Sequence, residues 1–378
     1  YKFGYEYSDC WVDDSRLVIL NAVDAAKNGA KLQNYTKVTK VTKSDGIWLI
    51  TTTDSIDNTQ NTIKAKCFIN ASGPWVDDVL QESFSNKNTK NVRLVRGSHI
   101  VVDKLYDHDK SFICQNDDGR IFFLIPYEDK FTLIGTTDID HGRSASEVEI
   151  SEEEKQYICD SANAYLNSEI KLSDIVWSYS GVRPLYDDGA SKAQEATRDY
   201  VIKAEEHDSS LMINIFGGKI TTYRRLSEAI LKHIETFLGQ RGGCWTDNSS
   251  LPGGDFDVDG LFDLNNKIQE KYPFLNEEIV KRLVRSYGTV SFDIFASAKN
   301  IESLGESFGS GLYEKEVVYL VQNEWARTSE DILFRRSKLG LSLTKNEKQK
   351  LDQFLEKYQK LSKTSESSVK QDNIVETV

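Results

Sequence analysis

The stretch Phe216-Gly217-Gly218-Lys219-Ile220-Thr221-Thr222 connects a predicted strand to a predicted helix. Residues 211–215 before it are mostly apolar and partly β-branched, which is typical of a buried strand. After it, apolar side chains recur at helical spacing over residues 226–237. Two glycines let the backbone approach a ligand closely, and the first amides of a helix favour negative charge. The stretch therefore fits either a ligand-binding turn or an ordinary strand-to-helix turn.

The composition is that of an acidic, core-forming protein. The 378 residues are enough for two domains, and the 39% hydrophobic content fits a globular chain. The net charge of −12 repels phosphate backbones, so we expect no nucleic-acid partner. No apolar run in the sequence approaches the roughly 18 residues that a membrane-spanning helix needs.

The cysteines and histidines are scattered along the sequence. Five cysteines without a Cys-x-x-Cys spacing indicate reduced thiols in a cytosolic compartment rather than disulfides or a zinc site. Five histidines lie far apart, which gives metal binding little support. The sequence starts at Tyr1 without a signal peptide, and we interpret it as part of a longer protein.

Three strands are predicted in the first third of the chain, at residues 36–41, 48–53 and 62–70. The third strand runs into Ala71-Ser72-Gly73. Small residues at the carboxyl end of a strand leave room for a ligand, at the place where open α/β sheets bind cofactors. The same three residues are also compatible with a simple corner in the chain.

A β-rich block follows, and after it a helical region. Strand patterns with hairpin-like turns across residues 98–137 predict a mixed or antiparallel sheet. Residues 151–166 predict a helix that Ser151 and Glu154 open with a capping-box pattern. A further strand precedes Arg183-Pro184, where the proline keeps the arginine extended. Leu251-Pro252-Gly253-Gly254 marks a boundary, after which helical patterns dominate.

One histidine and two arginines are candidates for chemistry on an anionic substrate. The sequence contains no Gly-x-Gly-x-x-Gly, phosphate loop, Gly-x-Ser-x-Gly or His-Glu-x-x-His motif. His99 precedes an apolar strand and is a candidate proton acceptor, although a lone histidine there is more often structural. Arg183 and Arg198 could bind phosphate through their planar guanidinium groups, or form ordinary surface ion pairs.

Read together and in one order, several segments resemble the FAD-dependent (respiratory) glycerol-3-phosphate dehydrogenases. They are GYEYSDCWVDD (4–14), RGSHIVV (96–102), IGTTD (134–138), YSGVRPL (179–185), GGKITTYR (217–224), LPGG (251–254), YPFL (272–275) and EWAR (324–327). The resemblance covers about residues 1–360.

The resemblance implies an α/β (α+β) flavoprotein fold of the amino-acid-oxidase type. Residues 1–250 would form the FAD-dependent oxidoreductase domain, 251–361 a C-terminal helical domain, and 362–378 a disordered tail. Within the first domain, residues 1–97 and 200–250 would bind FAD, and residues 98–199 would form the substrate sheet. The FAD-binding part is incomplete, because the family's Gly-x-Gly-x-x-Gly segment does not occur in this sequence.

The family oxidises sn-glycerol 3-phosphate to dihydroxyacetone phosphate and passes the electrons through FAD to a quinone. By resemblance, the catalytic residues are His99, Arg183 and Lys219, and the substrate contacts are Arg183, Arg198 and Lys219. The implied FAD contacts are Val38, Ala71, Ser72, Gly73, Gly217, Gly218, Lys219, Ile220 and Thr221. We expect His99 to be the base and Arg183 to polarise the developing carbonyl, although the two roles could be exchanged.

The resemblance also bears on location and partners. It implies a cytoplasmic protein that meets the inner face of the cytoplasmic membrane through its quinone acceptor, and it leaves a homodimer open. A basic run in the helical region could meet such a surface, or form an ordinary solvated face. The run comprises Arg335, Arg336, Lys338, Lys345, Lys348 and Lys350.

Other functions remain open from the sequence. An oxidase would hand the electrons to oxygen, and oxygen consumption would reveal it. A flavin-less remnant or binding module would keep the sheet and the helices without a redox role. A flavoenzyme that oxidises an amine is disfavoured by the clustered cations, which suit a phosphate.

The absence of the phosphate-binding glycine motif predicts how the 378-residue chain behaves with its cofactor. Without that turn and its helix, the diphosphate of FAD has no cradle, so we expect poor binding or none. Titration of the purified chain with FAD measures this directly. Tight, stoichiometric binding with a flavin spectrum would contradict the prediction.

Overall fold

The computed structural model of the chain describes residues 4–84, 90–142, 144–187 and 199–370. The contacts within the chain divide it into two compact units. The sheet unit spans Tyr35–Trp245. The helical unit combines Tyr1–Asn34 with Thr246–Val378.

Strands and helices are numbered in chain order. The strands are β1 Thr36–Ser44, β2 Ile47–Asp54, β3 Gln60–Ala65, β4 Cys67–Asn70, β5 Val92–Asp103, β6 Phe112–Gln115, β7 Ile121–Tyr127, β8 Phe131–Gly135, β9 Ile139–Asp140, β10 Ile175–Tyr186, β11 Val201–His207 and β12 Ser210–Phe216. The helices are α1 Asp14–Lys27, α2 Val76–Phe84, α3 Glu152–Asn163, α4 Tyr223–Leu238, α5 Leu261–Lys271, α6 Glu277–Tyr287, α7 Ser291–Phe295, α8 Glu314–Asn323 and α9 Lys345–Lys370. All of these strands and helices α2–α4 belong to the sheet unit.

The largest sheet has the strand order β10-β5-β8-β7-β6, and β9 also pairs with β5. Its pairings are antiparallel, which is one of the two arrangements, mixed or antiparallel, that the sequence predicts for this block. Ile100 and Ile134 lie on its back face, where they pack against Ile158 and Cys159 of α3. Side chains alternate between the two faces of a strand. His99, one residue before Ile100, therefore lies on the opposite face, called the front face.

A second sheet has the order β11-β12-β4, in which β4 runs parallel to β12. Every residue of β12 is buried. Apolar side chains of α4, including Leu226 and Ile230, cover one of its faces, and Met212 packs against Trp48 and Phe68 on the other. Strands buried on both faces read as continuous apolar runs, which explains the composition of residues 211–215.

The third predicted strand is two strands in the structure. The sequence predicts one strand over residues 62–70, but β3 ends at Ala65 and β4 begins at Cys67. The two pieces belong to different sheets, because β3 pairs antiparallel with β2 while β4 pairs parallel with β12. The chain changes direction at Lys66, and no local pattern marks that change.

In the helical unit, helices α5–α9 share one apolar core, and α1 lies against the π-helical segment Asp331–Arg336. The sequence groups residues 1–34 with the FAD-binding part, whereas the structure packs them with this unit. Helix α9 continues to Lys370, where the sequence predicts a disordered tail from residue 362. Residues 362–370 contain no proline or glycine, so the sequence holds no strong helix breaker before Lys370.

A buried ion pair ties α1 to the rest of the helical unit. The guanidinium of Arg16 donates to both carboxylate oxygens of Glu324, at 2.6 and 3.0 Å. Its Nε donates to the carbonyl oxygen of Ser286 at 2.9 Å. The side chains of Arg16 and Glu324 are 5% and 0% exposed, so this is a fully desolvated pair. Burial raises the pKa of the neighbouring Tyr287 well above its ordinary value, and its hydroxyl donates to Glu316 at 2.8 Å.

The predicted basic run does not form one exposed face. The side chain of Arg336 is 6% exposed, and its Nη2 donates to the carbonyl oxygen of Glu324 at 2.6 Å. Lys338 is also turned inward, where its Nζ donates to Ser15 and Phe334. Both cations therefore serve the packing of the helical unit. Of the helices that the structure describes, none combines the length and the hydropathy of a bilayer-spanning segment.

Replacing Arg16 with methionine tests the buried pair. The change leaves the Glu324 carboxylate buried without its cation, so we expect the free energy of unfolding to fall by about 3–5 kcal/mol. Urea titration followed by far-ultraviolet circular dichroism measures the loss. The matched control is Lys281→Met, which breaks the exposed pair of Lys281 and Glu277 and should change stability little. Equal stability of the two variants would contradict a structural role for the buried pair.

Candidate active site

The front face of the large sheet brings His99 and Arg183 together. Strands β5 and β10 are antiparallel neighbours, and their register places Tyr179 opposite His99, Gly181 opposite Gly97, and Arg183 opposite Val95. Residues directly opposite each other in such a pair project from the same face. His99 and Arg183 therefore share the front face.

The Arg183 guanidinium lies across strand β5, directly over Gly97. A Cβ added at Gly97 would meet both terminal nitrogens of Arg183 at 2.5 Å, so only glycine leaves room for this placement. Nη1 donates to Asp138 Oδ1 at 2.7 Å, and Nη2 donates to Thr136 Oγ1 at 3.2 Å. Gly97 and His99 are two residues apart on one strand, so their Cα atoms are separated by about 7 Å. The guanidinium thus points along the face towards the imidazole, with 33% of the side chain still exposed.

The His99 imidazole is held between an aromatic ring and a glycine. It stacks on Tyr179, with ring centroids 5.0 Å apart and an interplanar angle of 9°. Its other contact is Gly135, where an added Cβ would meet His99 Cδ2 at 2.4 Å. Trp177 continues the row of rings, 5.1 Å from Tyr179. The ring is therefore fixed by packing before any ligand arrives.

Two other arginines near His99 in sequence are engaged by carboxylates. Arg93 forms a forked pair with Asp140, with both N–O distances at 2.7 Å. Hydrogen bonding from Arg93 holds the pKa of Asp140 below its usual range. Arg96 pairs with the buried Glu154 at 2.7 Å. The charges of both arginines are therefore offset locally.

The two segments assigned to FAD by resemblance meet at one sheet edge. Strand β4 ends at Asn70 and leads into Ala71, Ser72 and Gly73, while its parallel neighbour β12 ends at Phe216 and leads into the glycine turn. The Asn70 side chain joins the two strands by donating to Asn214 Oδ1 at 3.1 Å. Carboxyl ends of parallel strands are the usual cofactor-binding edge.

The glycine turn lies against the strand that carries Arg183. Gly217 and Gly218 have φ values of +70° and +107°, which side chains rarely tolerate. A Cβ at Gly217 would come within 3.0 Å of the Asp199 carbonyl oxygen and 3.6 Å of that of Pro184. The turn therefore packs closely against the backbone of the strand that carries Arg183, and only glycine fits there.

The other predicted contacts are distributed as follows. Lys219, Ile220 and Thr221 are exposed at the glycine turn. Thr222 does not cap α4, because its hydroxyl donates to the Lys219 carbonyl oxygen at 3.0 Å. Val38 lies on β1 in another sheet, where it packs against the cluster that contains Trp48 and Phe68.

Arg198, the remaining predicted substrate contact, lies outside the described residues. Lys219 belongs to this edge by its position in the glycine turn, and its side chain is exposed. The structure thus brings His99, Arg183 and the glycine turn to one region of the sheet unit.

Several residues of the site carried no predicted role. Asp138 and Thr136 hold the guanidinium, and Tyr179 supports the imidazole. The glycines at 97 and 135 are the available signal, because an isolated glycine inside an apolar strand often marks a close approach. The side chain that lies against each of these glycines is determined by strand pairing, so the glycines alone do not identify it.

Adding a methyl group at Gly97 tests the placement of Arg183. We expect Gly97→Ala to fold normally, because the side chain in its way is the mobile end of an arginine, and to push the guanidinium off Asp138. A crystal structure of the variant should show an N–O distance beyond about 4 Å, the limit of an ion pair. Gly181→Ala is the control, since its added Cβ meets nothing within 4 Å. An unchanged Arg183–Asp138 pair in Gly97→Ala would contradict the assignment.

Comparisons with known proteins agree with this architecture. A family model described as "FAD dependent oxidoreductase" matches residues 1–224, and one described as "C-terminal domain of alpha-glycerophosphate oxidase" matches residues 244–368. The X-ray structure of the glycerol-3-phosphate dehydrogenase from Bacillus halodurans, complexed with FAD, matches with a TM-score of 0.74 and 27% identity. The match covers 91% of this chain and 72% of that one. The predicted fold class is confirmed.

Characterised relatives cover most of the chain. A D-erythritol 1-phosphate dehydrogenase of Brucella abortus is 42% identical, over 92% of this chain and 69% of its own. A glycerol-3-phosphate dehydrogenase of Pseudomonas aeruginosa is 40% identical, over 93% and 69%. The aerobic glycerol-3-phosphate dehydrogenase of Escherichia coli is 37% identical, over 96% and 73%. These matches show that the chain belongs to the family of FAD-dependent glycerol-3-phosphate dehydrogenases.

Proposed function

We propose that the protein oxidises sn-glycerol 3-phosphate to dihydroxyacetone phosphate and passes the electrons to FAD. The observation that carries the proposal is the shared front face, on which an imidazole and a guanidinium stand beside a glycine turn. Relatives that cover most of the chain carry the name of this activity. The alternative, a flavin-less binding module, would give the imidazole and the guanidinium no catalytic role.

Oxidation of the C2 alcohol removes a proton from the hydroxyl and a hydride from the carbon. FAD, when bound, supplies the hydride acceptor. His99 accepts the hydroxyl proton, because a neutral imidazole is a proton acceptor near neutral pH and its ring is already fixed by Tyr179 and Gly135. Packing on both sides holds the base in one orientation, which favours reaction geometry.

Arg183 stabilises the oxygen as it becomes a carbonyl. A guanidinium has five N–H donors, of which Asp138 and Thr136 engage two at short distance. Nη1 also donates to the Thr137 carbonyl oxygen at 3.4 Å, and 33% of the side chain is exposed. Asp138 offsets the charge of Arg183 and fixes its plane, so the donors stay aimed without reorganisation. Lys219 and Arg198 supply further cations for the phosphate group in this proposal.

The glycine turn and the edge beside it hold the cofactor. Gly217, Gly218, Ile220 and Thr221 would line the flavin, and Ala71, Ser72 and Gly73 would approach the adenylate side. Val38 would contribute through the backbone of β1. The position of the glycine turn at the carboxyl end of β12 supports the first of these assignments.

D-erythritol 1-phosphate is a second candidate substrate. The Brucella abortus relative named for it is slightly more similar to this chain than the glycerol-3-phosphate dehydrogenases. Both molecules carry a secondary hydroxyl beside a phosphorylated CH2 group, so the same front face suits either. The ratio of kcat/KM values for the two substrates decides between them. Turnover of sarcosine or glycine in place of both would overturn the proposal.

A quinone is the proposed final electron acceptor. The curated relatives are named dehydrogenases, which favours an acceptor other than oxygen. Reaching a quinone would bring the protein to the inner face of the cytoplasmic membrane, by a surface that does not use the inward-turned Arg336 and Lys338. Parallel assays of quinone reduction and oxygen consumption compare the two acceptors.

Substitution of His99 and Arg183 tests their roles in the FAD-loaded holoenzyme. We expect His99→Gln to lower kcat/KM by about 10²–10⁴ and to remove the acidic limb of its pH profile, because the base is gone. Arg183→Lys should also lower kcat/KM, since it loses the forked donors, but should keep the acidic limb. His108→Gln, at an exposed position, is the control. An acidic limb that survives unchanged in His99→Gln would contradict the role of His99 as the base.

A further inference from the structure

A buried carboxylate lies behind the front face, on the other side of strand β5. Glu154 is in the first turn of α3, and only 3% of it is exposed. Its Oε1 accepts hydrogen bonds from Ser98 Oγ at 2.8 Å and Thr137 Oγ1 at 2.9 Å. Its Oε2 accepts from Ser151 N at 3.0 Å and pairs with Arg96 Nη2 at 2.7 Å. Four donors converge on the group, so it is engaged as a carboxylate acceptor.

Thr137 lies in the short loop between β8 and β9. The pairing of β8 with β5 reaches as far as His99, and the pairing of β9 with β5 begins at Arg96. The loop therefore passes β5 at the gap between these two pairings. At that gap, the backbone N–H of Ser98 donates to Thr137 Oγ1 at 3.0 Å. The Thr137 hydroxyl thus accepts the hydrogen bond that a paired strand would otherwise accept from Ser98, and it donates a hydrogen bond to Glu154.

The same loop faces both sides of the sheet. Thr137 points to the back face and Glu154, while its two neighbours, Thr136 and Asp138, hold the Arg183 guanidinium on the front face. One three-residue loop therefore connects the buried carboxylate to the guanidinium, without direct contact between them.

We propose that Glu154 is a positioning residue, which fixes the direction of the Arg183 guanidinium through the hydroxyl of Thr137. The inference rests on the proposed function only in that Arg183 acts on the substrate there. If the anchor is lost, the loop can shift while the sheet remains paired. A displacement of about 1 Å at a reacting group can cost about 100-fold in rate.

Two variants remove the anchor in different ways. Thr137→Val keeps the shape of the side chain and deletes the hydroxyl, and Glu154→Gln replaces the carboxylate. We expect each to lower kcat/KM of the FAD-loaded holoenzyme by up to about 100-fold. In an Arg183→Lys background neither should have a further effect, because the group through which they act is gone. Independent, multiplicative losses in the double variants would overturn the proposal.

Matched variants separate positioning from general stability. Thr137→Ser retains the hydroxyl and should restore most of the lost rate. Ser180→Ala removes another back-face hydroxyl, which bonds to Ser98 at 2.8 Å, and should leave the rate near the wild-type value. If Glu154→Gln fails to fold, Thr137→Val carries the test alone. Equal losses in Thr137→Ser and Thr137→Val would contradict a role for the hydroxyl.

The reactivity of Arg183 with phenylglyoxal provides a readout that does not depend on turnover. Peptide mass spectrometry measures the rate at which that one guanidinium is modified. We expect several-fold faster modification in Thr137→Val and Glu154→Gln, and wild-type rates in Thr137→Ser and Ser180→Ala. Unchanged rates in all four variants would overturn the inference. If the wild-type enzyme does not oxidise either polyol phosphate, the proposed function fails while these rates still decide the positioning role.

Discussion

The ion pair between Arg183 and Asp138, laid across Gly97, is the constraint on which the site depends. Asp138 and Thr136 approach the guanidinium from a loop, and the glycine beneath it leaves space that any side chain would fill. The guanidinium is thereby directed along the front face towards His99, whose ring is fixed in turn by Tyr179. The charge and the orientation of the Arg183 guanidinium are therefore fixed before a ligand binds. A site that is arranged in this way does not have to reorganise during the reaction.

Much of this site could be predicted from the sequence, because the turns that form it directly follow recognisable strands. The glycine turn after β12 and the small residues after β4 follow apolar strands directly, so their place at a sheet edge follows from the pattern. The pairing of strands is not local. Nothing in residues 62–70 indicates a break at Lys66, and nothing in residues 136–138 indicates that one loop serves both faces of β5. Such partners are chosen by long-range contacts.

The helical unit shows a second limit of sequence reasoning. Arg16 lies in a helix of mixed polarity, where an arginine is expected at the surface. Its side chain is instead buried against Glu324. The basic run near residue 336 reads as a patch, yet two of its members turn inward. A charged residue is predicted at the surface unless its partner is known, because burying an unpaired charge is costly. The partner, again, is distant in sequence.

The most direct measurement is a crystal structure of the FAD-loaded holoenzyme with glycerol 3-phosphate bound. The account predicts the substrate on the front face of the large sheet, with its C2 hydroxyl oxygen about 2.6–3.2 Å from the His99 imidazole or the Arg183 guanidinium. It also predicts the flavin against Gly217 and Gly218. A substrate bound on another surface, with these two side chains facing solvent, would contradict it.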